Sequence, residues 1–436
     1  MKSIALSVLV GWLARIMAIA TNLIGIPLVL QQLGHTQFGI VLIAMSVGSW
    51  VGIGNLGIGR AVANVVARYF HRSQAFIRQI VFYAIATSLA AQGLIFGICV
   101  CILLFFANRI DLGPVGISYR GQFIVSTIMT FFTFSLWFFL MVFEGIDAGL
   151  HRRFRVAIYH IVGYAFTLVM LFTVFRAAPS IVLGTFLLSS GFVIGNLLHT
   201  IDILFRHREL FRINAKYKRK LIQIMMLSTI DFTIISLRGY IIYQSSTSLL
   251  GLLVGPEEIV NFGVFMKIMV SIGAAILSVT HPMSDMIAGR MARNDHSGAL
   301  NVATVTGSGL LLGGAMVAVA FALYGDRLIS IWLHTPTVYD PLFRAGSSML
   351  IFATVVSQYI TGVAIGYGRT RTVARNHAVE ALVSMPVAWL GYLMAGQAGI
   401  LLAMDAVLIL GAVVALRAGL PLGRMKRRLA LTPIVD

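Results

Sequence analysis

The chain is a succession of apolar runs, each about twenty residues or longer, separated by short polar turns. A helix of roughly 20 apolar residues crosses the ~30 Å hydrocarbon layer of a bilayer, and in lipid the backbone must satisfy its own hydrogen bonds. Runs of this length therefore predict membrane-spanning helices. About twelve can be counted. The first six cover approximately 7–31, 38–67, 79–107, 122–145, 156–176 and 180–204; the second six cover 221–250, 257–288, 301–324, 342–366, 373–395 and 398–417. Several are long enough to require tilt or kinks. Composition closes off a soluble fold: 58% of the 436 residues are hydrophobic and 11% charged, where a soluble domain carries about a quarter charged. Lys2 and the apolar run after it have the look of a secretory signal, but Arg15 interrupts the run and more spans follow, so a retained first helix is expected.

The charges order these spans. The sequence has 33 Lys+Arg against 15 Asp+Glu, a formal charge of +18. If alternate turns face alternate sides, 24 basic residues fall on one side and five (Arg109, Arg120, Arg176, Arg327, Arg344) on the other. The basic side is the cytoplasmic one, which puts both termini in the cytoplasm. The segment RHRELFRINAKYKRK, 206–220, resembles a nucleic-acid or anionic-lipid patch in isolation. Lying midway between two sets of six spans, it reads as a cytoplasmic connector, and nucleic acid is not an expected partner. The expected organisation is an N-terminal lobe at 1–205, the connector at 206–220, a C-terminal lobe at 221–420 and a cytoplasmic tail at 421–436.

The halves look duplicated. GLHRRFRVAIYH (149–160) and GYGRTRTVARNH (366–377) share Gly, Arg, Val, Ala and His at an offset of 217 residues, and Phe38-Gly39 recurs as Phe262-Gly263. Two halves of six spans enter the membrane from the same side, so the repeats are parallel, and repeats of this kind place a substrate site between them near the membrane centre.

Catalytic and cofactor chemistry find little footing. GIGNLG at 52–57 fits GxGxxG but lies inside an apolar span rather than after a strand, so close helix packing is expected there, as at GLLLG 309–313. Cys99 and Cys101 sit in an apolar run and read as small core residues. No metal-ligand spacing, nucleophile motif or long polar loop is present, so neither an enzyme, a cofactor nor a metal is expected. The informative residues are the charges within spans, because a buried charge costs at least a few kcal/mol and marks a cavity, a partner or a substrate. Arg15, Arg60, Arg238 and Lys267 are such cations, in the first two spans of each half. Snorkelling or private ion pairs account for them equally well in several cases; Asp231 lies near Arg238, and Lys267 has no nearby carboxylate. More cations than anions suit an anionic ligand such as a phosphate or pyrophosphate. Asp231 and Asp405 are candidates for ion coupling. Glu144 and Asp147, just before Arg152 and Arg153, read as helix-end ion pairs, and Asp285 as a partner of Arg290.

The stretch PLVLQQLGHTQFGIVLIAMSVGSWVGIGNLGIGRAVANVVAR (27–68) resembles the start of polysaccharide-type flippases of the multidrug/oligosaccharidyl-lipid/polysaccharide exporter superfamily. Pro27, Leu33-Gly34, Phe38-Gly39, Ser46, Leu56-Gly57 and Ala61 fit the family's pattern; EGIDAGLHRRF, IVNFGVFMKI, HPMSDMIAG and IGYGRTRTV fall where it has similar segments. The resemblance spans the whole chain. It implies an all-α membrane protein of about 12 helices in two six-helix lobes around a central cavity, like the multidrug and toxin extrusion (MATE) fold. It implies as substrate an undecaprenyl-pyrophosphate-linked oligosaccharide flipped by alternating access in a bacterial inner membrane, beside glycan-assembly proteins, with Arg15, Arg60, Arg238 and Lys267 mapped to a cationic lumen. Asn55 departs from the Asp many relatives carry before Leu-Gly. A multidrug exporter of the same fold, and less so a membrane glycan polymerase or ligase, are the rival readings.

Overall fold

The computed structural model describes residues 2–54, 57–69, 74–109, 117–150, 152–211, 230–231 and 233–419. Among them it is helical with no strands. The helices are α1 (Lys2–Gly48), α2 (Ile58–Tyr69), α3 (Gln74–Phe106), α4 (Arg120–Gly149), α5 (Arg153–Met170) and α6 (Ile181–Arg206), followed by α7 (Ser245–Val254), α8 (Ile259–Met291), α9 (His296–Leu333), α10 (Pro341–Gly366) and α11 (Thr370–Gly419). Local chemistry sets several ends. Ser180 caps α6, its hydroxyl accepting from Leu183 N at 3.2 Å. Asp340 caps α10, its carboxylate accepting from the amides of Leu342 and Phe343, with Pro341 in the first turn where its missing N–H costs nothing. Hydroxyls inside the helices turn back on the preceding turn, as Thr127 does to Phe123 O at 2.8 Å.

Nine helices among the described residues are long and apolar enough to cross a membrane. Two of them are long enough for two crossings. At 1.5 Å per residue, the 47 residues of α1 would extend roughly 70 Å, over twice the ~30 Å hydrocarbon layer. The direction changes at Gly34, whose φ of 75° favours glycine; α11 breaks at Ala395 and Gly396, the latter at φ 56°. Both breaks fall between expected spans. The second expected span, 38–67, is not continuous: a 3₁₀ stretch at Ser49–Gly54 and Gly57 at φ 60° interrupt it. Within GIGNLG, Gly57 breaks the helix, while Gly52 packs as expected, a Cβ there standing 2.8 Å from the Tyr240 ring. Close packing continues just beyond, where a Cβ on Gly59 would meet the Met141 carbonyl and one on Gly145 the Gly59 carbonyl. Gly309 and Gly313 face open space, and it is Gly314 that packs, against Val355. Cys99 and Cys101, expected in a core, are half-buried and exposed on α3.

Exposed apolar side chains cover the outside. Leu382 is 77% and Met394 87% exposed, and Phe105, Leu312 and Ile331 behave alike. Water would penalise such a surface, while lipid accepts it. The chain is a multi-pass membrane protein.

Packing divides it into two compact units, Met1–Ser271 with Asp326–Val338, and Ile272–Gly325 with Tyr339–Asp436. In the first, Ile58, Val62, Ile77, Ile80, Phe143 and Ile146 form a core between α2, α3 and α4. In the second, Met283 and Ile287 of α8 meet Ala299, Ala303 and Val363. This packing boundary is not the midpoint expected for the lobes 1–205 and 221–420. Residues of α7 and α8 join the first unit because glycines allow it: Gly251 abuts Ile43, Gly263 abuts Leu42, and Gly39 abuts the Pro256 carbonyl. The 212–220 part of the connector and the tail 421–436 lie outside the described residues.

The duplication is visible in local geometry. Gly34, after Leu33, has φ 75° and ψ 172°; Gly255, after Val254, has φ 84° and ψ 176°. Each turn precedes the Phe-Gly pair of its half.

Candidate functional site

The cations marked in the sequence all belong to the first unit, in different surroundings. Arg15 is half-buried on α1, within electrostatic reach of His160 and Tyr164 on α5. Arg60 lies on α2, its side chain outside the described residues, as does Asn55. Arg238 is 3% exposed, and Asp231 is half-buried one helical stretch before it. Lys267 is half-buried on α8, and its ammonium donates to Met45 Sδ on α1 at 3.9 Å. No carboxylate among the described residues pairs with it. Asp405, by contrast, lies in the second unit on α11, fully buried, and neither carboxylate oxygen has a hydrogen-bond partner.

Arg15 leads to a cluster that the sequence reading missed. Glu144 and Asp147 do not pair with Arg152 and Arg153 as expected. Because α4 continues to Gly149, both sit inside its last turns, three residues apart on one face, and point inward. Glu144 Oε1 lies 3.5 Å from His160 Nε2 of α5, which is 3.2 Å from Asn196 Oδ1 of α6. Asp147 Oδ2 lies 3.0 Å from His199 Nε2 of α6, both side chains fully buried. Asn196 and His199 repeat the three-residue spacing of Glu144 and Asp147, the one sign of this match in the sequence. Close backbone approach makes it possible. A Cβ on Gly163 of α5 would collide with Gly191 and Gly195 of α6, and one on Gly195 with Tyr159 and His160.

The second unit holds a counterpart. His377 Nε2 lies 3.1 Å from the Thr361 hydroxyl, sixteen residues apart as His160 and Glu144 are, at the offset of 217. Beside it Asn376 donates to Glu380 Oε1 at 2.7 Å and to Gly411 O at 2.9 Å. At the α8–α9 turn Arg290 donates to Asp295 at 2.6 Å. Asp295 also accepts from Gly298 N, and these bonds hold its carboxyl below the usual aspartate range. Just past α6, burial holds His207 below the ordinary histidine value. No group of His, Cys, Asp and Glu among the described residues is placed to hold a metal ion.

No protein-family model matches the chain, and no curated protein does. Solved structures do. An inward-facing multidrug resistance MATE family transporter of the MOP superfamily superposes with a TM-score of 0.76 at 13% identity, over 96% of this chain and 98% of its own. The fold is MATE-like. A eukaryotic MATE transporter matches at TM-score 0.70 and 14% identity, over 99% of this chain and 96% of that one. A MOP superfamily transporter from Pyrococcus furiosus, described as having a binding pocket of reversed polarity, matches at 0.64 and 11% over 96% and 95%. At such identities the MATE-like fold is what is shared. The all-helical, MATE-like membrane fold expected from the sequence agrees with it.

Proposed function

We propose that the protein is a flippase that carries a polyprenyl-pyrophosphate-linked oligosaccharide from the cytoplasmic to the outer leaflet of a bacterial inner membrane, by alternating access, for assembly of an O-antigen, capsule or exopolysaccharide. Lys267 carries this reading. An ammonium within a membrane-spanning helix, with a thioether as its hydrogen-bond acceptor and no carboxylate paired with it among the described residues, is uncompensated charge at membrane depth, and an anionic group offsets it. A pyrophosphate supplies that anion, and Arg15, Arg60 and Arg238 of the same unit add to the basic lining. Sugars occupy the wet lumen, the prenyl tail stays in lipid, and both termini are cytoplasmic. Asp231 and Asp405 are the acidic groups available for a coupling ion. The reversed polarity described for the Pyrococcus transporter supports the idea that this fold serves substrates of either sign.

The multidrug exporter is the second reading, favoured by the unpartnered Asp405 and by the multidrug resistance neighbours. Vesicle transport separates the two. A pyrophosphate-linked glycan is flipped by the wild type, at least tenfold more slowly by Lys267→Ala, a rise of about 1.4 kcal/mol or more in barrier, and near the wild-type rate by Lys267→Arg. Unchanged glycan transport in a folded Lys267→Ala protein, or export of an organic cation instead, overturns the flippase reading.

A further inference from the structure

Beyond the residues assigned to substrate, three helices of the first unit bring a string of titratable groups together. On α6, Asn196, His199, Asp202 and Arg206 recur every three or four residues and make one polar face. Its inner part meets Glu144 and Asp147 of α4. Its outer part meets Tyr159 of α5, whose ring stands 5.7 Å from His199 and which lies in electrostatic reach of Asp202. Asp202 in turn accepts from Arg206 Nε at 2.5 Å, and the Arg206 side chain is 53% exposed. The string thus begins at an accessible helix end and runs inward to Glu144 and His160, in electrostatic reach of Arg15 and Tyr164.

Its fully buried step is Asp147–His199. With His199 Nε2 donating to Asp147, Nδ1 is left as a bare base, and both this nitrogen and Asp147 Oδ1 are buried without a hydrogen-bond partner. A carboxylate beside a neutral imidazole is an uncompensated negative charge in a dry place; a proton on Nδ1 turns the two into an ion pair of no net charge. The step adds one proton to a nitrogen lone pair and breaks no bond. Glu144–His160, one turn inward, is a second carboxylate–imidazole pair, at 3.5 Å, with Asn196 Oδ1 3.2 Å from the same ring nitrogen. The cations nearest the string are Arg206 and Arg155 at its outer end and Arg15 at its inner end. His207, past the end of α6, is in electrostatic reach of Asp147, and itself stands among Arg152, Arg155 and Glu209.

We propose that this string is a proton-binding relay: Asp147–His199 takes a proton delivered from the Arg206 end of α6, and Glu144–His160 passes the change of charge to the neighbourhood of Arg15. Proton binding stands without the flippase reading; only its coupling to substrate through Arg15 rests on that reading.

The test uses the full chain, purified without substrate and labelled with ¹⁵N-histidine, over about pH 5 to 9, where imidazoles change charge. His199, assigned by its loss in His199→Gln, is expected to change protonation state at Nδ1 with a transition that moves in Asp147→Asn. A His199 fixed in one state throughout, or a transition indifferent to Asp147→Asn, overturns the relay. Should the single variants fail to fold, Asp147→His/His199→Asp restores the pair, and a pH-dependent imidazole is expected at position 147; a static one overturns the relay. In vesicles, Asp147→Asn is expected to flatten the pH profile of glycan transport at a preserved KM, and an unchanged profile overturns the coupling. Normal imidazole titration with no glycan transport at any pH counts against the flippase reading alone.

Discussion

Replacing Gly163 with Ala tests whether glycine contacts hold the first unit together. A Cβ built there would stand 2.5 Å from Gly195 N and 2.9 Å from its Cα, and would overlap the Gly191 carbonyl; ordinary contact begins near 3.4 Å. All three obstacles are backbone, so no rotamer change relieves them, and α5 and α6 must part by roughly 1 Å. A gap of that size forfeits about a quarter to a half of each dispersion contact along the seam, and overpacking of this kind costs about 1–3 kcal/mol. Ala in place of Gly in a helix returns about 0.5–1 kcal/mol. A net loss of about 1–2 kcal/mol follows. The same change at Gly97, Gly309 or Gly313 meets nothing within 4 Å and keeps the full gain. The two sets should therefore differ in sign, separated by about 2 kcal/mol in detergent unfolding monitored by far-UV circular dichroism. Gly163→Ala should also break the His160–Asn196 bond at 3.2 Å. A Gly163→Ala protein as stable as Gly309→Ala would refute the reasoning.

Gly34→Ala is expected to lose about 1–2 kcal/mol through its φ of 75° alone, since no atom waits for the Cβ; unfolding at the wild-type midpoint would deny that the turn is needed. Asp405→Asn should leave the fold at least as stable as wild type while removing any dependence of transport on a cation gradient, and a surviving dependence would dismiss Asp405 as the coupling group. Asp295, held below the usual aspartate range by Gly298 N–H and Arg290, stabilises its turn above the ordinary aspartate value of about 3.9, and that support fades as pH falls through its lower folded value. Asp295→Ala should therefore raise hydrogen exchange in 291–298 at pH 7 and match the wild type in strong acid; a difference that persists in acid contradicts the assignment.

What could be read from the sequence follows from what the bilayer penalises. Polar turns between apolar runs are costly to bury, so the breaks near Gly34 and at 395–396 fell where the runs stopped. The break at 49–57 has only Ser49 and Asn55 as polar residues and no charge to mark it, and its glycines gave the clearer sign. Inside and outside were harder still. Lipid is as apolar as leucine, so Cys99, Cys101 and the GLLLG segment carry no mark of whether they face a neighbour or the membrane. Glu144 and Asp147 looked like helix-end residues because neighbouring arginines were the partners visible in sequence, whereas their partners lie on α5 and α6, brought near by Gly163 and Gly195.

The duplication narrows where function can reside. Gly34 and Gly255 share one backbone conformation, and His160 and His377 each lie within 3.5 Å of a residue sixteen positions earlier, so these features belong to the scaffold that both halves inherited. What the halves do not share is the charge placed on it. Glu144 of one half stands where the other has Thr361, and Lys267, beside Met45, stands six residues past Asn261 where the first half has Ile43 six residues past Gln37. A symmetric scaffold with identical charges would present the same field to a substrate from both halves. Here Arg15 and Arg60 lie in the first half and Arg238 and Lys267 in the second, while the unpartnered carboxylate of Asp405, in the second half, answers to Leu188 of the first at the offset of 217. Exchanging Glu144 and Thr361 therefore tests inheritance against divergence directly. If the scaffold alone set function, Glu144→Thr/Thr361→Glu would transport as the wild type does; the divergence argued from these residues requires that it fold and fail.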